Sequence, residues 1–539
     1  MKLVRYKKRI LSNKTSLILS LLFLMVLFFG IGYSYLSSNL SIAGNINVES
    51  LPLIDTYENR LKDTYLSGTY KDLIKSITIE DNLHTPPGYL IASWDISASQ
   101  NGKVMAYITM ETELSEMFDL FIQGDGKIIA NPDSSKLFYS MRKLESITGL
   151  DNIDTTYATD MSYMFYQVCD IGNSVNGHIT FTLDLGDNFD TSNVTDMTGM
   201  FYQTGHASEN FTLDLGDKFD TSNVEYMDYM FQSIGGYSPY FTLDLGSNFD
   251  TSKVKSMNSM FAGIGSGNNN FTLDLGNKFD TSNVLNMQSM FSGTGNALSS
   301  NFTLNLGSNF DTSKVTNMSY MFYLTGSNSN DFTLDLGSKF DTSNVINMSN
   351  MFKETGCYSS NFSLNLGSNF KTIKVEDMSW MFSRTGESNT SFTLNLGDKF
   401  DTSNVTNMEY MFSNTGLNST SFTLNLGSLF DTSKVTNMQY MFNNTGYYNS
   451  SFTLNLGNNF NTNRVTNMEA MFYSTGYMNN NLNLDLSTFN FNVVTNSTNM
   501  FYGFKTTGKV YVKDAADQTW VINNGGNNNL TTSNVLIKT

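Results

Sequence analysis

The chain is 539 residues long, with a formal net charge of −17 and a sequence pI near 4.6. Only 15% of the residues are charged and 40% are hydrophobic, a composition that fits a folded protein and excludes a disordered chain. An acidic surface repels a phosphate backbone, and the basic residues cluster only in the first fourteen positions, so nucleic acid is not expected as a partner.

Residues 1–44 predict export from the cell. A basic flank precedes a nearly continuous apolar run from Leu17 to Leu36. A helix of about twenty residues rises about 30 Å, the thickness of the hydrocarbon core of a bilayer. The segment also fits a cleaved signal peptide, since Ser41 to Ala43 supply small residues for cleavage. Either a transmembrane anchor or a signal peptide keeps the basic flank in the cytoplasm, so the rest of the chain is expected outside.

Residues 45–136 predict a small β-rich region. Apolar and polar residues alternate over Tyr89 to Ser97, Lys103 to Glu111 and Phe118 to Ala130, and the last stretch turns at residues 124–126. This alternation predicts strands and gives no indication of a role for the region.

Residues 181–481 consist of ten units of about thirty residues each. Every unit follows the pattern F-[TS]-L-[DN]-L-G-x-x-F-x-T-x-x-V-x-x-M-x-x-M-F, and the units open on Phe181, Phe211, Phe241, Phe271, Phe302, Phe332, Phe362, Phe392, Phe422 and Phe452. Phe-x-Leu-x-Leu has a period of two, which predicts a strand with its large side chains inward. Val-x-x-Met-x-x-Met-Phe places its side chains on one face, which predicts a short helical segment.

One unit is too small to bury its own apolar residues, so the units are expected to stack as a solenoid. Each strand would then pair with the strands of both neighbouring units, which predicts one continuous parallel ladder. The methionine pair of each unit faces inward, and core packing is favoured over a metal-binding stripe.

Residues 137–180 predict a degenerate repeat that closes the N-terminal end of the array. Met161, Met164 and Phe165 occur there at the spacing of the full units, whereas the opening Phe-x-Leu-x-Leu strand is missing. This partial unit is expected to cover the first full unit.

Residues 482–539 predict the C-terminal end. They begin with an eleventh unit that is one residue short, in which Ser497 replaces the first methionine. Beyond it, Lys509 to Lys513 and Gln518 to Ile522 alternate like a β-hairpin around Trp520. The pattern predicts a β cap over the last apolar layer.

The segment from Asp190 to Phe201 and its later copies, such as Asp401 to Phe412, resemble the signature of the BspA-like leucine-rich-repeat surface proteins of bacteria. The likeness extends over about residues 137–501. It implies an α/β solenoid of leucine-rich-repeat type, display on the cell envelope, and adhesion to host matrix proteins or other cells. The thirty-residue units and the lack of a C-terminal LPxTG motif depart from commoner members, which favours an N-terminal tether.

The outward acidic residues of the first four strands are candidates for calcium binding. They are Asp184, Asp214, Asp244 and Asp274. The equivalent residue is asparagine in half of the units, which keeps the acceptor oxygen and loses the charge. Hydrogen bonding along the ladder is therefore the favoured interpretation, and no other cofactor is expected. A second acidic row, which begins at Asp190, is interpreted as turn and cap chemistry.

Two surfaces are candidates for ligand binding. One is the exposed strand face, and the other consists of the loops that follow the last glycine of each unit, which vary between units. The candidate residues are Thr182, Asp184, Thr212 and Asp214 on the strand face, and His206, Tyr237 and Tyr240 in the loops.

No catalytic centre is expected. The repeats contain only two arginines, Arg384 and Arg464, and no nucleophile, base and orienting residue recur together. Cys169 and Cys357 lie too far apart in the array for a disulfide, and neither has a histidine at metal-ligand spacing. Both thiols are interpreted as incidental.

Two functions remain. In the first, the protein binds a host matrix protein, a glycan or a neighbouring cell through the surface of the solenoid and its variable loops. In the second, it is a structural spacer of the envelope without a specific ligand, whose repeats set its reach at about 5 Å per unit.

Overall fold

The structure, a computed structural model, describes residues 51–61, 64–171, 180–298, 301–457, 459–505 and 507–539. The predicted export segment, residues 1–44, lies outside these residues. Within the described residues, no helix combines the length and the apolar character needed to cross a membrane.

The region before the repeats contains a mixed five-stranded sheet. A short helix, α1 (Tyr57–Arg60), and a 3-10 turn at Lys71–Leu73 precede it, and the strands of the region are β1 (Ile74–Glu80), β2 (Tyr89–Asp95), β3 (Val104–Met110), β4 (Phe118–Gly124), β5 (Ile128–Ile129) and β6 (Ser146–Thr148). The order in the sheet is β2-β3-β4-β1-β6. β2, β3 and β4 are antiparallel, whereas β1 is parallel to β4 and β6.

Strands β2, β3 and β4 lie within the three stretches whose alternation predicts strands. The central strand β1 was not predicted. Its pairing with β4 shifts register between Ile74 and Ser76, so its buried residues Ile74, Ile77 and Ile79 do not follow one period of two.

The Phe-x-Leu-x-Leu segment forms a short strand in every unit except the one that opens on Phe241. After a 3-10 turn at Leu150–Asn152, the strands are β7 (Ile153–Asp154), which pairs with β5, then β8 (Thr180–Asp184), β9 (Asn210–Asp214), β10 (Thr272–Asp274), β11 (Thr303–Asn305), β12 (Asp331–Asp335), β13 (Asn361–Asn365), β14 (Thr393–Asn395), β15 (Thr423–Asn425), β16 (Leu454–Asn455) and β17 (Asn483–Asp485). Equivalent residues pair in parallel, as Phe181 does with Phe211.

The short helical segment predicted for each unit is wrong. In the described part of residues 181–481, the segment forms successive turns, which we call the turn segment (residues 194–205 in the first unit). The N–H groups of Met200 and Tyr202 donate to carbonyl oxygens three residues earlier, whereas those of Gly199 and Phe201 donate to carbonyl oxygens of the next unit. A helix would direct these N–H groups within the unit, so the bonds to the neighbour explain why turns form instead.

The turn segments also contain residues with left-handed backbone. Examples in one unit are Trp380, with a φ of 61°, and Arg384, with a φ of 58°. An L-residue in this conformation costs about 1–2 kcal/mol and cannot lie inside a right-handed helix. The hydrogen bonds to the next unit must offset this cost in every layer.

The strand ladder is divided, contrary to the prediction of one continuous ladder. Its hydrogen-bonded groups in the repeats are β8-β9, β10-β11, β12-β13 and β14-β15-β16. The turn segments, in contrast, are joined throughout by parallel single-residue bridges, from Asp133 and Asp160 through Asp196 to Asn496. The turn side is therefore the continuous spine of the array.

Columns of phenylalanine rings form the core between units. Phe201 and Phe231 stack with ring centroids 5.7 Å apart and an interplanar angle of 5°. In a neighbouring column, Phe249 and Phe279 stack at 6.3 Å, and Phe249 also contacts Phe231 at 6.1 Å. The methionine pair of each unit is fully buried beside these rings, as its spacing predicts. The same apolar layer is thus repeated along the array.

The C-terminal end combines strands and a helix. β18 (Lys509–Val512) and β19 (Val535–Ile537) continue in parallel from β17 after a 3-10 turn at Phe491–Val493, and α2 (Ala515–Asn524) connects them. The predicted hairpin is therefore wrong, because Gln518 to Ile522 lie in α2. Parallel strands need a crossover connection, which the helix provides. Asp514 caps α2 by accepting the N–H groups of Ala516 and Asp517, and Trp520 stacks on Phe491 at 4.5 Å.

Candidate recognition surfaces

The strand face presents the outward residues that the alternation predicts. Thr182 and Asp184 of β8 are exposed, and so are Thr212 and Asp214 of β9. The register places Thr182 beside Thr212 and Asp184 beside Asp214. The structure thus brings these four candidate residues together in two short rows.

The acidic row at the end of the strands closes turns. The N–H of Gly186 donates to Oδ1 of Asp184 at 2.8 Å. The same bond recurs at 2.8 to 3.0 Å for Asp214, Asp244 and Asp274. It also forms on the amide oxygen of Asn305, at 3.1 Å. Asparagine serves this turn as well as aspartate does, which explains why the two residues exchange along the row.

This donor set does not fit a calcium ion. Calcium takes 6–8 oxygen ligands, whereas each unit offers one exposed side chain in this row, with one oxygen already bound to a backbone N–H. Throughout the described residues, no group of three or more His, Cys, Asp or Glu side chains could hold a metal ion. The row is explained by turn formation.

The variable loops bring two predicted residues into contact. The rings of His206 and Tyr237 lie 4.6 Å apart, at an angle of 56°. A Cβ atom at Gly236 would overlap the His206 ring, so glycine at this position makes room for the imidazole. Tyr237 is 66% exposed, and Tyr240 in the same loop is 81% exposed. Two tyrosines therefore project from a loop that is held against its neighbour.

A charged pair lies behind His206. Nδ1 of His206 is 3.5 Å from Oδ1 of Asp170, and Arg142 donates from Nε and Nη2 to Oδ2 of Asp170 at 2.9 and 2.7 Å. Burial lowers the pKa of His206, and the charge of Asp170 opposes this shift without reversing it. Sequence reasoning missed Arg142 and Asp170 because neither belongs to the repeated pattern.

Buried threonines join neighbouring units, and sequence reasoning missed them. Oγ1 of Thr221 donates to the carbonyl of Asp250 at 2.8 Å and accepts the N–H of the same residue at 2.7 Å. A second threonine row points toward the preceding unit, as when Thr204 donates to the carbonyl of Phe165 at 2.7 Å. The recurrence of Thr after Phe-Asp and before Gly is the signal that could have revealed both rows.

A separate row of Asp and Asn side chains accepts hydrogen bonds within the turn segments. Oδ1 of Asp196 accepts the N–H of Thr198 at 2.8 Å, and Oδ1 of Asn407 accepts the N–H of Glu409 at 3.1 Å. Most polar residues of the repeat pattern thus hold the backbone in place. The groups with the most freedom to meet a ligand lie in the loops.

Six overlapping segments of the chain match a family described as "Mycoplasma protein of unknown function, DUF285". The matched residues are 132–272, 209–333, 238–361, 265–395, 295–425 and 386–514. No curated protein and no solved structure matches the chain. The repeated matches indicate a surface repeat-protein family, whereas the narrower BspA-like assignment stays a prediction. Since the matches together extend from residue 132 to residue 514, well over half of the sequence, the chain belongs to the DUF285 family.

Proposed function

We propose that the protein is an adhesin of the bacterial cell surface that binds an extracellular protein, a glycan or a neighbouring cell. The observation that carries the proposal is the loop of Tyr237 and Tyr240, exposed at 66% and 81% on a rigid stack of units. Tyrosine is enriched at binding interfaces because it offers a large apolar ring and a polar tip. The protein would act by binding, without catalysis.

The loops suit recognition better than the strand face does. On the strand face, the outward Asp and Asn side chains close their own turns. In the loops, Tyr237 packs on His206, which lies against Asp170, so the ring is supported from behind. A supported and exposed aromatic ring loses little conformational entropy on binding, which makes it a suitable anchor for a partner.

We infer that the stacked units form a solenoid of leucine-rich-repeat type, in which turns replace the helical segment. Residues 1–44 would direct export and either anchor the protein in the membrane or be removed as a signal peptide. The array would then project the loops away from the cell.

Binding by purified full-length protein tests the proposal. We expect immobilised protein to retain matrix proteins, glycans or epithelial cells above background. The double substitution Tyr237→Ala and Tyr240→Ala should reduce the retention of matrix proteins or cells by about tenfold or more, as expected for hot-spot tyrosines. Tyr448→Ala is the matched control, since Tyr448 is a loop tyrosine that is 50% exposed. Absence of binding to all three ligand classes would remove the basis for an adhesin.

The continuous spine favours a second candidate function, that of a spacer. Parallel bridges join the turn segments from Asp133 to Asn496, so the number of units sets the length of the array. In that case, shortening the array should change its reach and leave ligand binding unaffected.

A further inference from the structure

Two tyrosine rings, Tyr473 and Tyr502, stack at the C-terminal end of the array, with ring centroids 4.9 Å apart and an interplanar angle of 19°. Tyr473 covers the inner face of the Tyr502 ring. The N–H of Phe501 donates to the carbonyl of Gly525, so the segment after α2 packs on the unit that carries Tyr502. Tyr502 remains 52% exposed. The outer face of the ring is open.

The backbone conformation requires glycine at position 526. Gly526 has a φ of 70°, and a Cβ atom there would lie 2.5 Å from the backbone nitrogen of Asn499. No other residue fits without moving the chain. The segment after α2 is therefore held close to the unit that carries Tyr502.

Polar groups surround the open ring. Tyr502 lines a cleft of about 490 Å³ together with Tyr477, Lys505, Asn528 and Asn529. Nζ of Lys505 lies 4.1 Å from the centroid of the Tyr477 ring, which fixes the ammonium group at the side of the cleft. Asn528 and Asn529 are exposed and offer amide donors and acceptors.

The asparagine wall is held in position from below. Nδ2 of the buried Asn527 donates to the carbonyls of Phe501 and Phe504 at 2.8 and 3.1 Å. Its Oδ1 accepts the N–H of Asn529 at 3.0 Å. The loop is thus tied to the same unit that carries Tyr502, so the ring and the amides keep a fixed distance.

We propose that this cleft binds a saccharide, at a site separate from the loop of Tyr237 and Tyr240. A pyranose ring has an apolar C–H face that packs on an aromatic face, and a rim of hydroxyl groups that pair with amides and ammonium groups. The cleft offers both, and its volume lies within the roughly 300–1,000 Å³ of small-molecule sites. The ammonium of Lys505 adds a partner for a carboxylated sugar.

The test measures binding of saccharides to the full-length protein. A printed glycan array identifies the preferred sugar, and titrations with N-acetylglucosamine and glucuronic acid separate neutral from carboxylated ligands. We expect Tyr502→Ala to raise the dissociation constant of the saccharide about tenfold. Tyr502→Phe keeps the aromatic face and should stay close to the unsubstituted protein. Lys505→Gln should weaken the binding of glucuronic acid more than the binding of N-acetylglucosamine.

Tyr358→Ala is the matched control, because Tyr358 is 53% exposed and lies in the loop of another unit. It should leave saccharide binding unchanged, and so should the pair Tyr237→Ala and Tyr240→Ala. The proposal is overturned if no saccharide binds, or if a saccharide binds equally well to Tyr502→Ala. Loss of cell adhesion in the Tyr237 and Tyr240 variant with intact saccharide binding would keep the two sites distinct.

Discussion

Single hydroxyl groups do much of the joining between units. Thr221 is fully buried, yet its Oγ1 both donates to and accepts from the backbone of Asp250. A buried hydroxyl without partners would cost about 1–3 kcal/mol, whereas here it satisfies two backbone groups of the next unit. The threonine therefore makes each junction specific in register as well as stable.

The glycine before each loop permits a close contact as well as a left-handed backbone. Gly416 has a φ of 56°, and a Cβ atom there would lie 2.5 Å from Cγ of Phe422. Gly397 has a φ of 77°, but a Cβ atom there would meet nothing within 4 Å. Both substitutions by alanine introduce strain of about 1–2 kcal/mol, and only Gly416→Ala adds a clash.

We therefore expect Gly416→Ala to lower the free energy of unfolding by about 1–3 kcal/mol more than Gly397→Ala does. Urea denaturation of the two variants measures the difference. Equal losses would show that the contact with Phe422 is unimportant.

The two cysteine thiols should be inert in the folded protein. Both are free and buried. Burial raises the pKa of Cys169 to about 12, and burial together with the nearby carboxylate of Glu387 raises that of Cys357 above its usual value. The reactive thiolate is therefore nearly absent at pH 8, and labelling by a disulfide reagent should be about a thousandfold slower than in denaturant. Rapid labelling of the native protein would contradict the buried placement.

Among the elements, the strands follow from the sequence and the turn segments do not. Phe181, Leu183 and Leu185 are buried and alternate with exposed residues, because a strand admits only this period. The spacing Val194, Met197, Met200 satisfies a helix and a series of three-residue turns equally well. The choice depends on bonds to the next unit, such as that from Gly199 to Asp228, which no single unit contains.

The two candidate sites differ in the same way. Tyr237 and Tyr240 could be selected from the sequence because they interrupt a repeated pattern in a polar loop. The cleft at Tyr502 could not, because it forms between the last units and residues 526–529, which lie outside the repeats. Contacts between levels become visible only in the structure.

Helix α2 contains two carboxylates with opposite effects on stability. The backbone N–H of Asp517 donates to Asp514 and lowers the pKa of Asp514, so the ionised cap stabilises the helix above its unfolded pKa and loses this effect as the pH falls. Burial, followed by the charge of Asp514, raises the pKa of Asp517, so its ionised form is destabilising at neutral pH.

At pH 7 we expect Asp514→Ala to reduce the protection of α2 amides from hydrogen exchange. Asp517→Asn should increase the protection of these amides, by less than about 1 kcal/mol because the carboxyl of Asp517 is mostly solvated. Both differences should shrink below about pH 4, where the unfolded carboxyls are protonated. Changes of the same sign in both variants would refute this account of the helix.

At the scale of the whole molecule, the units should be interchangeable. Deletion of residues 391–420 joins Thr390 to Ser421 and recreates the sequence Thr-Ser-Phe found at the original junction. We expect the shortened protein to fold and its longest dimension, measured by small-angle X-ray scattering, to fall by about 5 Å. Deletion of residues 391–405, half a unit, is the control and should disrupt folding. An unfolded full-unit deletion would show that the units are not equivalent.

The spine of single-residue bridges also determines how the array would respond to force. A pull between its two ends acts on the hydrogen bonds that connect the turn segments, so every junction carries the same load and the junctions would open one at a time. Each unit that opens would release about thirty residues, or roughly 100 Å of extended chain. In the adhesin that we propose, this stepwise lengthening would slow an attached cell, and the units not yet opened would stay folded at each step.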